Sequence, residues 1–288
     1  MSYLRHIHAC NLPVEETFLP WTGRGLTLGW VRPAFAEHLR DYPEVFAFDA
    51  GIALQPRLQG FDELSDALAE VAGGLARDAV IPPLIDEPYP VTPAGREAAI
   101  AVIDRAAAAF FGLRSFGQHL NGYVRDRDEL HMWIGRRARD RLIFPGALDN
   151  MVAGGLPYGV SLAENLVKEC HEEAGMPQRL AAQARPVGAL SYNRVAERGF
   201  RPDVLYCYDI ELPGDFTPQN TDGEVEQFML LPIREVMRIV HDSDEFKLNC
   251  NLVIVDFLVR HGLIGPEEPD YLEIVTGLRR VPGLPGAA

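Results

Sequence analysis

Hydrophobic residues recur at two different spacings along the first third of the chain. Alternating apolar positions at 26–31 and 45–54 predict strands, whereas apolar positions three and four residues apart at 34–42 and 61–75 predict helices. The alanine-rich stretch 96–113 predicts a further long helix, because alanine has the highest helix propensity. Together these elements predict a small α/β unit.

The pattern changes near residues 112–117, where short alternating segments begin. Further strands and a final helix are predicted at 120–125, 130–136, 148–153, 187–195, 204–212 and 249–261. We therefore predict two domains, an accessory or lid domain at 1–115 and a larger domain at 116–288. The length of 288 residues is sufficient for both.

A glycine-rich loop followed by one well-delimited helix lies in the middle of the second domain. The loop begins with Gly154 and Gly155, and glycine lets a backbone approach a phosphate closely. Ser161 is followed three residues later by a glutamate, which is the spacing of a capping box, and Gly175 is a typical C-terminal cap. These signals predict a helix from about residue 162 to about residue 174.

Three carboxylates share one face of this predicted helix. Glu169, Glu172 and Glu173 lie at i, i+3 and i+4, and like charges at these spacings repel by a few tenths of a kcal/mol. A hard divalent cation such as Mg2+ or Mn2+ would reverse this effect, because it prefers carboxylate oxygens and bridges to phosphates. The alternative is an ordinary solvated acidic face, which the glutamates alone do not exclude.

The whole stretch resembles the signature of the Nudix hydrolases, which is a glycine, five residues, a glutamate, seven residues and then Arg-Glu-aliphatic-x-Glu-Glu-x-Gly-aliphatic. Residues 168–176 match the second half, with Lys168 in place of the arginine and Cys170 in the aliphatic place. The first glutamate is missing, because the family spacing puts Val160 there and Gly154 at the leading glycine. If the loop is one residue short, Gly155 is the equivalent glycine.

The resemblance implies a fold of the α/β (α+β) class, namely a Nudix α/β/α sandwich with a mixed sheet, preceded by the small α/β domain. Residues 116–288 would be the Nudix hydrolase domain. Segments 29–36 and 42–46 are similar to the N-terminal domain of the thiamine-pyrophosphokinase-associated Nudix hydrolases. The likeness continues near the end of the chain and so covers most of it.

The resemblance also implies roles for the acidic residues. Glu169, Glu172 and Glu173 would bind Mg2+ or Mn2+, and Glu172 and Glu173 would take part in catalysis. Nudix enzymes often place a further glutamate, a metal ligand or base, on a later loop. Glu224 is the first candidate for this role and Glu226 the second. The alternative for each is an ordinary carboxylate in a turn, and the sequence supports both interpretations equally.

Three arginines within eight residues stand out in the segment that joins two predicted strands. The planar guanidinium group suits phosphate oxygens, so Arg194 and Arg201 are candidates to hold the diphosphate or the organic group of a substrate. Gly154 and Gly155 are the candidates on the side of the glycine-rich loop. The alternative for the arginines is a solvated hairpin loop.

These residues predict a metal-dependent hydrolase of a diphosphate linkage in a small organic or nucleoside-like diphosphate. The subfamily resemblance implies thiamine diphosphate or its oxidised forms as the substrate. Val160 and Lys168 favour the alternative, which is a catalytically weak Nudix-fold protein that binds a diphosphate metabolite or a protein partner.

The charge balance narrows the choice of partners. The 27 Lys and Arg against 41 Asp and Glu give a net charge of −14, which argues against a nucleic acid polymer or an anionic membrane. No apolar run approaches the ~18 residues of a membrane span. The four scattered cysteines form no CxxC pair and indicate no disulfide framework, so we expect a cytoplasmic protein. The sequence leaves open whether the protein forms a homodimer through its N-terminal domain.

Overall fold

The computed structural model describes residues 2–127, 129–280 and 283–285, which form an N-terminal unit and a larger second unit. The chain begins with helix α1 (Leu4–Cys10). The N-terminal unit then contains a four-stranded sheet of order β2-β1-β4-β3. Its elements are β1 (Leu19–Gly23), β2 (Leu26–Val31), α2 (Pro33–Leu39), β3 (Phe46–Ala47), β4 (Ile52–Leu54) and α3 (Phe61–Arg77). Helices α2 and α3 share one apolar core with the sheet.

The long helix predicted for residues 96–113 is wrong. Its place is taken by a 3-10 turn (Arg96–Ala98), strand β6 (Ala101–Asp104) and a short helix α4 (Arg105–Ala108). Strand β6 pairs in antiparallel fashion with β5 (Pro88–Val91), and alternate residues of β6 are buried. Burial of a strand face therefore outweighs the helix propensity of the alanines.

A seven-stranded mixed sheet organises the second unit. Its strands are β7 (Ser115–Asp126), β8 (Glu129–Arg137), β9 (Leu148–Asp149), β10 (Val152–Gly155), β11 (Arg185–Ala196), β12 (Gly199–Glu211) and β13 (Val225–Pro232). The order is β11-β12-β7-β8-β13, with β10 beside β7 and β9 beside β8. Strands β12 and β7 are parallel, and the other named pairs are antiparallel.

Helices pack on both faces of this sheet. They are α5 (Leu162–Ala174), α6 (Gln178–Ala181), α7 (Ile233–Asp242), α8 (Leu248–Arg260) and α9 (Tyr271–Gly277). Neighbouring residues of β12 point to opposite faces, so Cys207 joins the core formed with α1, α7 and α8, whereas Tyr208 joins the core formed with α5. The predicted α/β/α sandwich with a preceding α/β domain is confirmed. In the described part of the chain, no helix combines the length and the apolar content that a bilayer span requires.

The tip of the β11–β12 hairpin joins the two units. Phe200 is fully buried, and its ring centroid lies 5.7 Å from those of both Phe18 and Trp30. The Arg32 guanidinium donates hydrogen bonds to the backbone carbonyls of Ala196 and Glu197. These contacts hold the N-terminal unit beside the sheet of the second unit.

Candidate active site

Helix α5 has the bounds that its capping signals predict. The Ser161 hydroxyl accepts a hydrogen bond from the Glu164 backbone N–H at 3.2 Å, and the Glu164 carboxylate accepts one from the Ser161 N–H at 3.1 Å. At the other end Gly175 adopts a left-handed conformation with φ of 61°. Both caps satisfy backbone groups that a helix end leaves free, so local chemistry alone positions the carboxylates of this helix.

Glu173 is a buried carboxylate on the face of α5 that packs against the sheet. The residue is 7% exposed, and its Oε2 accepts a hydrogen bond from the Ala153 backbone N–H at 3.0 Å. Burial raises the pKa of Glu173 to about 8, and the nearby negative charges of Asp149 and Glu169 add to the increase. The side chain therefore lies where an additional positive charge would be strongly favourable.

Glu169 lies one turn earlier, against the glycine-rich strand. Burial raises the pKa of Glu169 as well, and Lys168 opposes this increase. A side-chain carbon at Gly154 would lie 2.4 Å from the Glu169 carboxylate, so a larger residue there would displace that carboxylate. Glu172 is different, because its side chain is 43% exposed and is bonded to the Lys168 ammonium at 2.7 Å.

Glu224 reaches the same site from the loop before β13. It lines one cleft together with Glu173, Asp149 and Arg137, and its carboxylate lies 2.8 Å from the Arg141 guanidinium. Glu226 is instead paired with the exposed Arg139 at 3.4 Å. Glu224 thus lines the same cleft as Glu173 and lies within electrostatic range of Glu169, although the roles of these residues stay predictions.

A buried polar cluster forms the floor of the cleft, and the sequence analysis missed it. Asp149 Oδ2 accepts from Arg137 at 3.0 Å and from Lys247 at 3.2 Å, and its Oδ1 accepts from the Cys250 thiol at 2.7 Å. Burial opposes the charge on Asp149, but Lys247 and its other neighbours hold its pKa below the usual value. These residues come from separate segments, and no sequence spacing links them.

The same floor contains a group of potential metal ligands. Ligand atoms of His119, Asp149 and Cys250 lie within 4.8 Å of one another. However, two cations already neutralise Asp149, and His119 Nδ1 is bonded to the Asn150 side chain at 2.8 Å. This group is satisfied as a buried hydrogen-bond network and does not require a metal.

The N-terminal unit holds the loop that connects β10 to α5. The Arg96 guanidinium donates to the carbonyl oxygens of Pro157 at 2.6 Å and Val160 at 2.8 Å, and the Tyr158 N–H donates to Pro88 O at 2.7 Å. Val160 is the position of the missing signature glutamate. The other unit therefore anchors this loop through the backbone carbonyls of Pro157 and Val160.

The two predicted arginines are direct neighbours across the β11–β12 hairpin. Arg194 pairs with Arg201 in the strand register. Arg201 forms an ion pair with Asp203 at 3.1 Å, and the Arg194 guanidinium lies 5.9 Å from the centroid of the Phe144 ring. Their contribution to substrate binding stays a prediction.

The carboxylates on α5 and on the loop before β13 fit a hard divalent cation. The carboxylates of Glu169, Glu173 and Glu224 offer oxygen ligands only, which Mg2+ and Mn2+ prefer. Burial and mutual repulsion raise the pKa values of Glu173 and Glu169, so these carboxylates lack sufficient compensating positive charge. A bound divalent cation would supply that charge.

Comparisons with known proteins agree with this geometry. Residues 120–251 match the NUDIX domain, and residues 2–115 match a domain of unknown function, DUF4743. Nudix hydrolase 24, chloroplastic, of Arabidopsis thaliana is 42% identical over 283 residues, which are 96% of this chain and 78% of the plant protein. Nudix hydrolase 20, chloroplastic, of the same plant is 40% identical over 290 residues, with the same two coverages of 96% and 78%.

The chain therefore belongs to the Nudix hydrolase family and is a Nudix-type hydrolase. Among solved structures, the NUDIX domain of NrtR from Shewanella oneidensis, in complex with ADP-ribose, is 14% identical. That similarity covers 54% of this chain and 91% of the other, with a TM-score of 0.40. The family assignment rests on the plant proteins and does not depend on this structure.

One expectation is overturned by the comparisons. Both plant relatives are named chloroplastic, so the expected cytoplasmic location is wrong. The four free cysteines indicated only a reducing compartment, and composition does not distinguish one such compartment from another. The thiamine-associated subfamily is not identified by these matches.

Proposed function

We propose that this protein hydrolyses a diphosphate linkage in a small organic or nucleoside-like diphosphate, with Mg2+ or Mn2+ as the cofactor. The observation that carries the proposal is that Glu224, from a distant loop, lines one cleft with the signature-helix residue Glu173 and lies within electrostatic range of Glu169. Family membership supports the reaction class, because Nudix hydrolases act on nucleoside diphosphate derivatives.

Glu169 and Glu173 would hold the metal, and Glu172, whose carboxylate is bonded to Lys168 in the structure, would be the third ligand. When bound, a divalent cation neutralises phosphate charge and lowers the pKa of a coordinated water. Glu224 would accept the proton of the attacking water, and the neighbouring Arg141 orients its carboxylate. Phosphoryl chemistry depends mainly on positioning and charge stabilisation, so this set of residues needs no nucleophilic side chain.

Substrate binding is proposed for the glycine-rich strand and the basic hairpin. Gly154 and Gly155 leave their backbone free of side chains beside Glu169, and Arg194 and Arg201 are cations within a protein of net charge −14. Within the class of small diphosphates, thiamine diphosphate and its oxidised forms are the specific candidates. The subfamily resemblance of the N-terminal segments motivates this choice.

A second candidate function is the binding of a diphosphate metabolite or a protein partner with little or no turnover. Val160 and Lys168 favour it, because the family signature has a glutamate and an arginine there. The Arg96 contacts weigh against it, since they hold the loop backbone without the missing glutamate.

Phosphate release tests the proposal. The substrates would be thiamine diphosphate, oxidised thiamine diphosphates, ADP-ribose, NADH and nucleoside triphosphates, each with Mg2+, with Mn2+ and with EDTA. We expect metal-dependent release from at least one compound, reduced on the order of 100-fold or more in Glu173→Gln. The matched control is Glu226→Gln, which removes a carboxylate near the start of β13 that does not line the cleft.

Release that persists in EDTA or in Glu173→Gln would refute the metal-dependent mechanism. Metal-dependent binding of a diphosphate with no release from any compound in the panel would favour the second candidate function.

A further inference from the structure

Two side chains of the N-terminal unit reach the glycine-rich strand of the Nudix domain. A side-chain carbon at Gly155 would lie 2.5 Å from the Tyr89 hydroxyl and 3.3 Å from Arg105 Nη1. Tyr89 belongs to β5, and Arg105 begins the short helix that follows β6. The glycine-rich strand that precedes the signature helix thus lies next to a hydroxyl and a guanidinium from another domain.

Arg105 is held in place but is not enclosed. Its Nη1 donates to Glu87 Oε2 at 2.8 Å, and its guanidinium lies 5.6 Å from the centroid of the Tyr89 ring. The side chain is nevertheless 47% exposed, so part of the guanidinium group is accessible to a solute. Burial opposes its charge, but Tyr89, Glu87 and Glu169 together raise the pKa of Arg105. Arg105 therefore lies within electrostatic range of a predicted metal ligand.

Arg201 of the Nudix domain lies within electrostatic range of the same hydroxyl. Burial raises the pKa of Tyr89 to about 12, and the positive charges of Arg105 and Arg201 both oppose this increase. Arg201 is paired with Asp203, but its buried Nε has no hydrogen-bond partner among the residues that the structure describes. Within the described ranges, Arg5 and Arg96 also have an unpartnered buried Nε, so this feature alone does not mark a site, but the Arg201 donor is available to an acceptor that reaches it.

We propose that Arg105 and Tyr89 of the N-terminal domain, together with Arg201, form an anion subsite that binds phosphate oxygens of the substrate beside Gly155. The inference rests on the proposed function and adds a specific recognition role for the N-terminal domain. The ligand class is a multiply charged phosphate group, because guanidinium N–H groups and a phenol O–H can all donate hydrogen bonds to its oxygens. In this acidic protein, binding of such a group requires cations concentrated at one place.

The test compares Arg105→Ala with Glu87→Gln. Both substitutions break the ion pair at 2.8 Å, but only the first removes the guanidinium. If Arg105 binds phosphate, Arg105→Ala should weaken the binding of inorganic pyrophosphate by about tenfold to a hundredfold. Glu87→Gln should leave binding equal or tighter, because it frees the same guanidinium. The affinity is measured by titration calorimetry on the full chain with Mg2+ present.

Arg40→Ala is the matched control. Arg40 also lies in the N-terminal unit, pairs with Glu37 at 3.0 Å and covers the Phe48 ring with its guanidinium 4.4 Å from the centroid. Its loss should leave pyrophosphate binding unchanged. Should Arg105→Ala unfold, Arg105→Lys keeps the charge but loses the fork, and an intermediate loss of affinity is expected.

Turnover of the substrate found in the panel separates this inference from the proposed function. We expect Arg105→Ala to raise KM about tenfold or more while kcat changes by less than about threefold, as for loss of uniform substrate binding. Equal losses in Arg105→Ala and Glu87→Gln, or unchanged affinity in Arg105→Ala, would overturn the subsite. If no compound is hydrolysed but pyrophosphate binding still depends on Arg105, the proposed hydrolysis fails and the subsite stands.

Discussion

Replacing Glu173 by glutamine should stabilise the metal-free protein at alkaline pH. The wild-type carboxyl is buried, and its pKa is raised to about 8 in the folded protein, compared with 4.5 for an unperturbed glutamate. A folded-state pKa above the unfolded value means that the folded protein retains a proton that the unfolded chain releases. Wild-type stability relative to Glu173→Gln should therefore fall as the pH rises from about 4.5 to about 8, and then level off.

The magnitude follows from the size of the pKa difference. Each unit corresponds to about 1.36 kcal/mol, so the full difference bounds the effect at about 5 kcal/mol. Water and salt in the adjoining cleft reduce the effective repulsion, and we expect roughly 1–3 kcal/mol between pH 5.5 and 8.5. Glutamine is a suitable replacement, because its side-chain oxygen can still accept the hydrogen bond from the Ala153 N–H.

Denaturant unfolding in EDTA at several pH values measures this effect. The control is Glu172→Gln, which removes a half-exposed carboxylate from the same helix and should change the free energy of unfolding by less than about 1 kcal/mol. Saturating Mg2+ should reverse the order of wild type and Glu173→Gln, since a cation bound to Glu173 stabilises the folded state. Parallel pH profiles for the wild type and the variant in EDTA would refute the reasoning.

Two further predictions concern the contacts between the domains. Arg96→Ala removes the hydrogen bonds to the Pro157 and Val160 carbonyls. It should lower kcat roughly tenfold and the free energy of unfolding by about 1–3 kcal/mol. Unchanged steady-state kinetics would show that the loop keeps its position without Arg96. Phe200→Ala removes the fully buried ring that packs against Trp30, and should lower the free energy of unfolding in denaturant by about 3–5 kcal/mol. A loss below about 1 kcal/mol would mean that the contact between the domains does not depend on this hairpin.

Local signals predicted the signature helix to the residue. Ser161 and Gly175 terminate α5 through bonds to backbone groups only a few residues away, and such bonds are encoded by neighbouring residue types. The 3.6-residue period then places Glu169 and Glu173 on their faces of the helix, whatever the rest of the fold. The same locality explains the failure at 96–113, where pairing with another strand decided the structure.

The sequence by itself therefore determined the Nudix class and the carboxylates of α5, because both reside in one contiguous segment. Only the tertiary structure decided that Glu224 is the later glutamate that lines the cleft with Glu173. It also pairs Asp149 with Lys247. Finally, it places Arg96 and Arg105 of the N-terminal domain against the loop and the strand that precede α5. These residues are separated by tens of positions along the chain. Their proximity arises from strand order and domain packing, which burial of the apolar surface as a whole determines and no short spacing records.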